Sequence, residues 1–256
     1  MKTNKPLLVV LPGGAGLTCD TLSDIRTEFA GDDLLCIDPP TQSKEWSYGA
    51  LLKYAVSRLP KERKLVLLGH SFGGVQAADI AVTTANVVGL ICMAAPFSKA
   101  AFESIGKEFA NKMTVEIDRT GKEFDERPSD ESLKAWFASY GTLYFHSDHS
   151  EAGAKMLLST SVNHKAFLGS RDEVANKEHL LAEVRNAPFA KVFLLGENDE
   201  LLVRATACAE AERGGFVVHE ISHAAHFMAF DNPKETNLII KDFLDQIQKT
   251  NNGSEI

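Results

Sequence analysis

Six short apolar runs, separated by stretches with helical spacing, constrain this chain more than any other feature. They occupy residues 7–11, 34–37, 65–68, 87–92, 192–195 and 216–218. Each is continuous rather than alternating, as strands covered on both faces are, so the pattern predicts an α/β fold with a mostly parallel central sheet flanked by helices. Between the runs, Tyr48, Leu51, Leu52, Ala55 and Leu59 recur at helical spacing behind Ser47, a residue type that caps helix N-termini. Asn232 followed by Pro233 opens a last helix, with Leu238, Ile239, Phe243 and Ile247 as its expected apolar stripe. From Lys249 onward the chain reads as a frayed tail.

One interval breaks the alternation. Residues 97–188 contain no strand-like run and far exceed an ordinary strand-to-helix connection. Phe102, Ile105 and Phe109 share one helical face, and Leu133, Trp136, Phe137 and Tyr140 share another, begun at Pro128-Ser129 and stopped by Gly141. The reading is a helical insertion, 97–188, between the two parts of a core formed by 1–96 and 189–256. Residues 118–131 are charged and poor in apolar side chains, which predicts an exposed loop.

Composition then excludes whole classes of function. Of the 256 residues, 27 are Lys or Arg and 35 are Asp or Glu, a formal net charge of −8, so the basic surplus that nucleic acid or an anionic membrane surface demands is missing. No apolar run approaches the roughly 20 residues of a membrane span. Lys2 and Lys5 precede only a short run that meets Pro12 and Gly13, unlike a secretory leader, and the expected location is cytoplasmic. Cys19, Cys36, Cys92 and Cys208 are scattered without CxxC spacing and read as reduced, mainly buried thiols. His146, Asp148 and His149 lie close together, but no further ligand follows at a suitable spacing; they read as a solvated turn, and no metal is expected. His164, His179 and His219 read as surface residues.

The chemistry is concentrated at Gly69-His70-Ser71-Phe72-Gly73-Gly74, set between the apolar run 65–68 and a helical pattern from Val75 to Ala81. A G-x-S-x-G match is weak alone. Placed between strand and helix, it forces the serine into a strained turn that lifts its hydroxyl off the sheet, next to helix N–H groups that favour developing negative charge. The alternative, a glycine-rich phosphate turn, lacks the lysine and the spacing of known phosphate loops. A serine nucleophile needs a base and a carboxylate to orient that base. Gly196-Glu197-Asn198-Asp199 follows one apolar run, and His226 follows the next after a short loop. Glu197 and Glu200 flank Asp199 and compete with it, whereas Met93-Ala94-Ala95-Pro96-Phe97, after the run 87–92, is uncharged. His223 shares the loop with His226, and His70 reads as a packed neighbour of the nucleophile rather than a catalyst.

With these residues in place, the chain resembles the α/β-hydrolase superfamily over nearly its whole length. The likeness rests on the elbow at Gly69–Gly74, the turn at Asp199 and the stretch from His226-Phe227 to Asp231-Asn232-Pro233. Pro12-Gly13-Gly14-Ala15-Gly16 is similar to the oxyanion loop of the proline iminopeptidase-like branch, with Pro12 where histidine is usual. The resemblance implies the α/β-hydrolase fold with the insertion 97–188 as a helical cap over the C-terminal edge of the sheet, with catalytic Ser71, Asp199 and His226 and an oxyanion hole formed by the backbone N–H groups of Gly14 and Phe72. It also favours Asp199 over its acidic neighbours and His226 over His223. The expected activity is cofactor-free hydrolysis of a small-molecule ester, amide or lactone. Aminopeptidase activity of the proline iminopeptidase type and a non-catalytic ligand-binding role are the alternatives. Aromatic residues of the insertion, among them Trp136, Phe137, Tyr140 and Phe145, either line a substrate pocket or pack a core. Trp136, Phe137 and Tyr140, together with Phe227, are the substrate-contact candidates.

Overall fold

The computed structural model describes residues 5–31, 33–174 and 177–253. All six apolar runs form strands: β1 (Leu7–Leu11), β2 (Leu34–Cys36), β3 (Leu65–His70), β4 (Val87–Met93), β5 (Ala190–Gly196) and β6 (Val217–Ile221). They make one sheet in the order β2-β1-β3-β4-β5-β6, and every pairing is parallel. β1 and β3 are buried along their whole length, as continuous apolar runs require. The outer strands depart from that expectation: β2 is only half-buried and Val217 of β6 is 60% exposed, because each sheet edge has a neighbour on one side only.

Helices cover the sheet where the spacing placed them. Tyr48–Arg58 starts at Ser47, whose hydroxyl accepts the Ala50 N–H, and Phe72–Thr83 begins directly at the serine elbow. The last helix, Pro233–Gly253, runs past Lys249, so the expected frayed tail is helical as far as Gly253; residues 254–256 lie outside the described set. Its buried stripe is Ile240, Phe243 and Ile247, while Leu238 is 56% exposed and turns away from the sheet. Positions three and four apart share a helical face, and Leu238 falls off the one set by Phe243.

Between β4 and β5 every regular element is a helix among the described residues. The exposed loop expected over 118–131 is instead largely the helix Val115–Glu126. Its core-facing stripe is narrow, only Ile117, Thr120 and Phe124 being buried, and charges mask it in the sequence. Those charges stabilise the helix through Arg119 with Glu116 and Glu123, and Lys122 with Asp118, while Thr114 caps its start. This helix packs with Asp130–Ser139, Gly141–Tyr144 and Ser150–Ser159 around a second apolar cluster that includes Phe124, Leu133, Tyr144, Phe145 and Leu157. Phe97, Ala101, Leu180, Leu181 and Val184, from the two ends of the interval, join the main core instead. A cavity lies where the second cluster faces the ends of β1, β3 and β6.

Candidate active site

Ser71 occupies φ 51°, ψ −120° between β3 and the helix Phe72–Thr83. That conformation is costly for a residue with a side chain and persists only where the surroundings over-determine it. The glycines supply that constraint. A Cβ at Gly73 would stand 2.3 Å from the Pro12 carbonyl oxygen, and one at Gly69 would stand 2.0 Å from that of Gly73, so the turn can lie this close to the first loop only without side chains. The Ser71 N–H donates to the Met93 carbonyl at 2.7 Å, fastening the elbow to the end of β4.

Asp199 lies in the turn after β5 with its side chain fully buried. One carboxylate oxygen accepts the N–H groups of Leu201 and Leu202 at 2.9 and 3.0 Å, and the other lies 3.0 Å from His226 Nδ1. Three partners therefore fix this carboxylate against the imidazole, and the bond at Nδ1 leaves Nε2 as the nitrogen free to exchange a proton. The His226 loop is held on several sides: Asn198 N–H bonds the Ala224 carbonyl, Phe227 N–H bonds that of Tyr144, and Ala225 N–H bonds Asp231. Ser71 and His226 line the same cavity, and no hydrogen bond joins them among the described residues.

The neighbouring candidates go elsewhere. Glu197 accepts the His223 N–H and Glu200 pairs with Lys112, both on the exposed side of the turn. His223, at φ 49°, packs its ring against that of His146, away from the cavity lining. His70 is 1% exposed and its Nε2 lies 2.9 Å from the His226 carbonyl oxygen. The acceptor there requires the proton on Nε2, so this ring donates. Burial, and then the nearby His226, push its pKa down to about 3, and the ring is neutral.

Gly14 (φ +42°) and Phe72 both line the cavity. Phe72 is the first residue of its helix, where backbone N–H groups have no intrahelical acceptor. Among the described residues neither the Gly14 nor the Phe72 N–H has a backbone partner. The Gly14 loop is tied to the insertion, since the Asn163 N–H donates to the Gly16 carbonyl at 2.7 Å and Leu17 bridges to Val162.

The cavity encloses about 180 Å³. Trp136, Phe137, Tyr140 and Phe227 all line it. Phe145 does not: it is 1% exposed, stacks on Phe227 at 4.9 Å and belongs to the core behind the wall.

In the sequence Asp231 stands only within the stretch that carries the family likeness, with no role of its own. Its buried carboxylate accepts the N–H groups of Ala225 and His146 and lies 3.2 Å from His149 Nδ1, joining the histidine loop to the insertion. The only hint was an acid five residues after His226 and before Asn232-Pro233. His146 and His149 are thus engaged by a carboxylate, and no group of three or more His, Cys, Asp or Glu side chains is placed to hold a metal ion among the described residues. Among the other histidines, His164 is not a free surface residue, because its ring and N–H both meet Asp130. No helix among the described residues is long and apolar enough to cross a membrane.

Comparison with known proteins adds the following. The family described as the alpha/beta hydrolase family matches residues 8–237. No curated protein sequence matches. Solved structures of similar fold include MenH from S. aureus, 18% identical with a TM-score of 0.66 over 97% of this chain and 96% of that one. A thermophilic esterase from Thermogutta terrifontis is 16% identical, with a TM-score of 0.72 over 95% of this chain and 91% of its own. A proline iminopeptidase from Mycobacterium smegmatis is 17% identical, with a TM-score of 0.64 over 97% and 92%. At these identities the likeness is one of fold.

Proposed function

The chain belongs to the alpha/beta hydrolase family, and from that premise we propose that it is a serine hydrolase acting on an apolar small-molecule ester or related acyl compound. One observation carries the reading: a buried carboxylate at Asp199 holds Nδ1 of His226, whose ring shares an apolar cavity with the strained Ser71. In this reading Ser71 Oγ attacks the acyl carbonyl while His226 Nε2 takes its proton. Asp199 keeps the imidazole in the required tautomer and stabilises the imidazolium that forms. The N–H groups of Gly14 and Phe72 meet the developing oxyanion, a role worth about 2.7 to 4 kcal/mol per donor in other enzymes. His226 then returns the proton to the leaving group, and water releases the acyl group by the same path in reverse. No cofactor enters this sequence.

The test is labelling with a fluorophosphonate, followed by a panel of p-nitrophenyl acyl esters, aminoacyl-nitroanilides and acyl-homoserine lactones. Stoichiometric labelling lost in Ser71→Ala, with turnover of the acyl esters, is the expected result. A chain that stays unlabelled and inert towards the whole panel is not a serine hydrolase.

A further inference from the structure

Apart from imidazoles, the described cavity lining holds one charged side chain, that of Arg171, and no carboxylate. Arg171 directly follows the helix His164–Ser170. Its guanidinium carbon lies 5.4 Å from the centroid of the Phe167 ring. Phe167 meets Phe137 edge-on at 5.3 Å, and Phe137 in turn reaches the Gly14 loop, where a Cβ would stand 3.6 Å from its ring. A continuous aromatic wall therefore leads from the reacting end of the cavity to a cation two ring contacts away.

Among the described residues that cation is poorly satisfied. Its nearest carboxylate, Asp172, is 3.7 Å from Nε, outside hydrogen-bond range, and is itself 91% exposed. Such a solvated contact contributes little. The Arg171 side chain is 40% exposed and the residue lines the cavity, so it meets both the cavity and water. A guanidinium carries a planar N–H fork, which matches a carboxylate by two parallel bonds. The chain as a whole carries a net charge of −8. A lone cation inside an apolar wall is therefore a local feature and not part of a general positive field.

Resting on the hydrolase reading, we infer that Arg171 is a specificity-determining residue, binding a carboxylate at the end of the substrate's acyl group remote from the scissile bond. The substrate class is then a monoester of an apolar dicarboxylic acid. Hydrolysis adds water across its ester bond and releases an alcohol and the dicarboxylate. The aromatic wall accepts the carbon chain, and the guanidinium accepts the far charge that this wall alone would reject.

The experiment compares mono-p-nitrophenyl esters of dicarboxylic acids with p-nitrophenyl esters of monocarboxylic acids of equal carbon number at low ionic strength. The anionic member should be favoured by about tenfold in kcat/KM, the scale of one charge-assisted bond. Arg171→Met should abolish that preference, and Arg171→Lys should restore part of it. Binding to Ser71→Ala, with and without Arg171→Met, gives a readout that needs no catalysis. An anionic preference in binding without turnover in the wild type would defeat the hydrolase reading and leave the subsite standing. Equal affinity for both esters, or a preference unchanged in Arg171→Met, would overturn the subsite whatever the fate of the hydrolase reading.

Discussion

The floor of the cavity and its wall are built in different ways. The floor comes from the turns after β1, β3, β5 and β6, and main-chain contacts fix it: Ser71 N–H on Met93, Asn198 N–H on Ala224, and a Gly73 that touches the Pro12 backbone. The wall comes from the insertion, and rings meeting rings hold it, with Trp136 stacked on Phe124 at 5.5 Å and Phe137 edge-on to Phe167. Backbone contacts define one geometry and fail abruptly when altered. Side-chain packing tolerates exchange of rings at a graded cost. On the proposed reading the chemistry belongs to the first kind of surface and selectivity to the second, so substrate can change without disturbing the reacting groups.

The largest expected effect separates the two surfaces by activity. Ser71→Ala and Asp199→Asn should each lower kcat by about 10⁴-fold or more on any ester the protein hydrolyses, with the thermal unfolding midpoint of Ser71→Ala little changed. A loss confined to long acyl chains would show that the floor is not where the chemistry occurs. Next is Gly73→Ala, whose new methyl would meet two carbonyl oxygens, of Leu11 and Pro12, at 2.4 and 2.3 Å. Neither backbone atom can swing aside, so urea unfolding should show a loss of about 3 kcal/mol or more. A neutral outcome would mean the first loop is looser than its contacts imply.

This division also explains what could be read from the sequence. The elbow was legible because few arrangements of strand, serine and small residues are sterically possible, so Gly69, Ser71 and Gly73 define a backbone path almost by themselves. The six strands were legible because a buried parallel sheet leaves continuous apolar runs. The wall was not. Tyr144 and Phe145 are adjacent in the chain, yet one lines the cavity and the other packs behind Phe227, a choice made by neighbouring helices. The helix Val115–Glu126 was hidden for a related reason: its buried stripe has only three members, Ile117, Thr120 and Phe124, among many charges. Arg171 and Asp231 gave almost no local sign, because their surroundings come from residues distant in the chain.

The wall itself should respond in degrees. Trp136 is half-buried, lines the cavity and stacks on Phe124 and Phe137. Trp136→Ala should lower kcat/KM for medium-chain acyl esters by about tenfold to a hundredfold, the scale of lost apolar contact, and barely affect acetyl esters. An equal loss for both would place Trp136 in support of the floor.

The effect graded by pH concerns His70, a buried titratable ring that joins the floor to the loop of His226. His70 donates from Nε2 to the His226 carbonyl, and burial holds its pKa at about 3, below the ordinary value of 6.5. In the unfolded chain the ring binds a proton as pH falls through about 6.5, whereas in the folded chain it stays neutral until about 3. Between those limits the unfolded state holds one more proton. Stability contributed by the neutral ring is therefore complete above pH 6.5 and declines on acidification by about 1.4 kcal/mol per pH unit. His70→Gln keeps a side-chain N–H for the carbonyl but removes the titration. Unfolding midpoints measured from pH 7 to pH 4 should therefore fall less steeply in the variant than in the wild type. Parallel slopes would show that the ring takes up its proton in the folded protein as readily as in the unfolded chain, and that the contact between floor and histidine loop opens in acid.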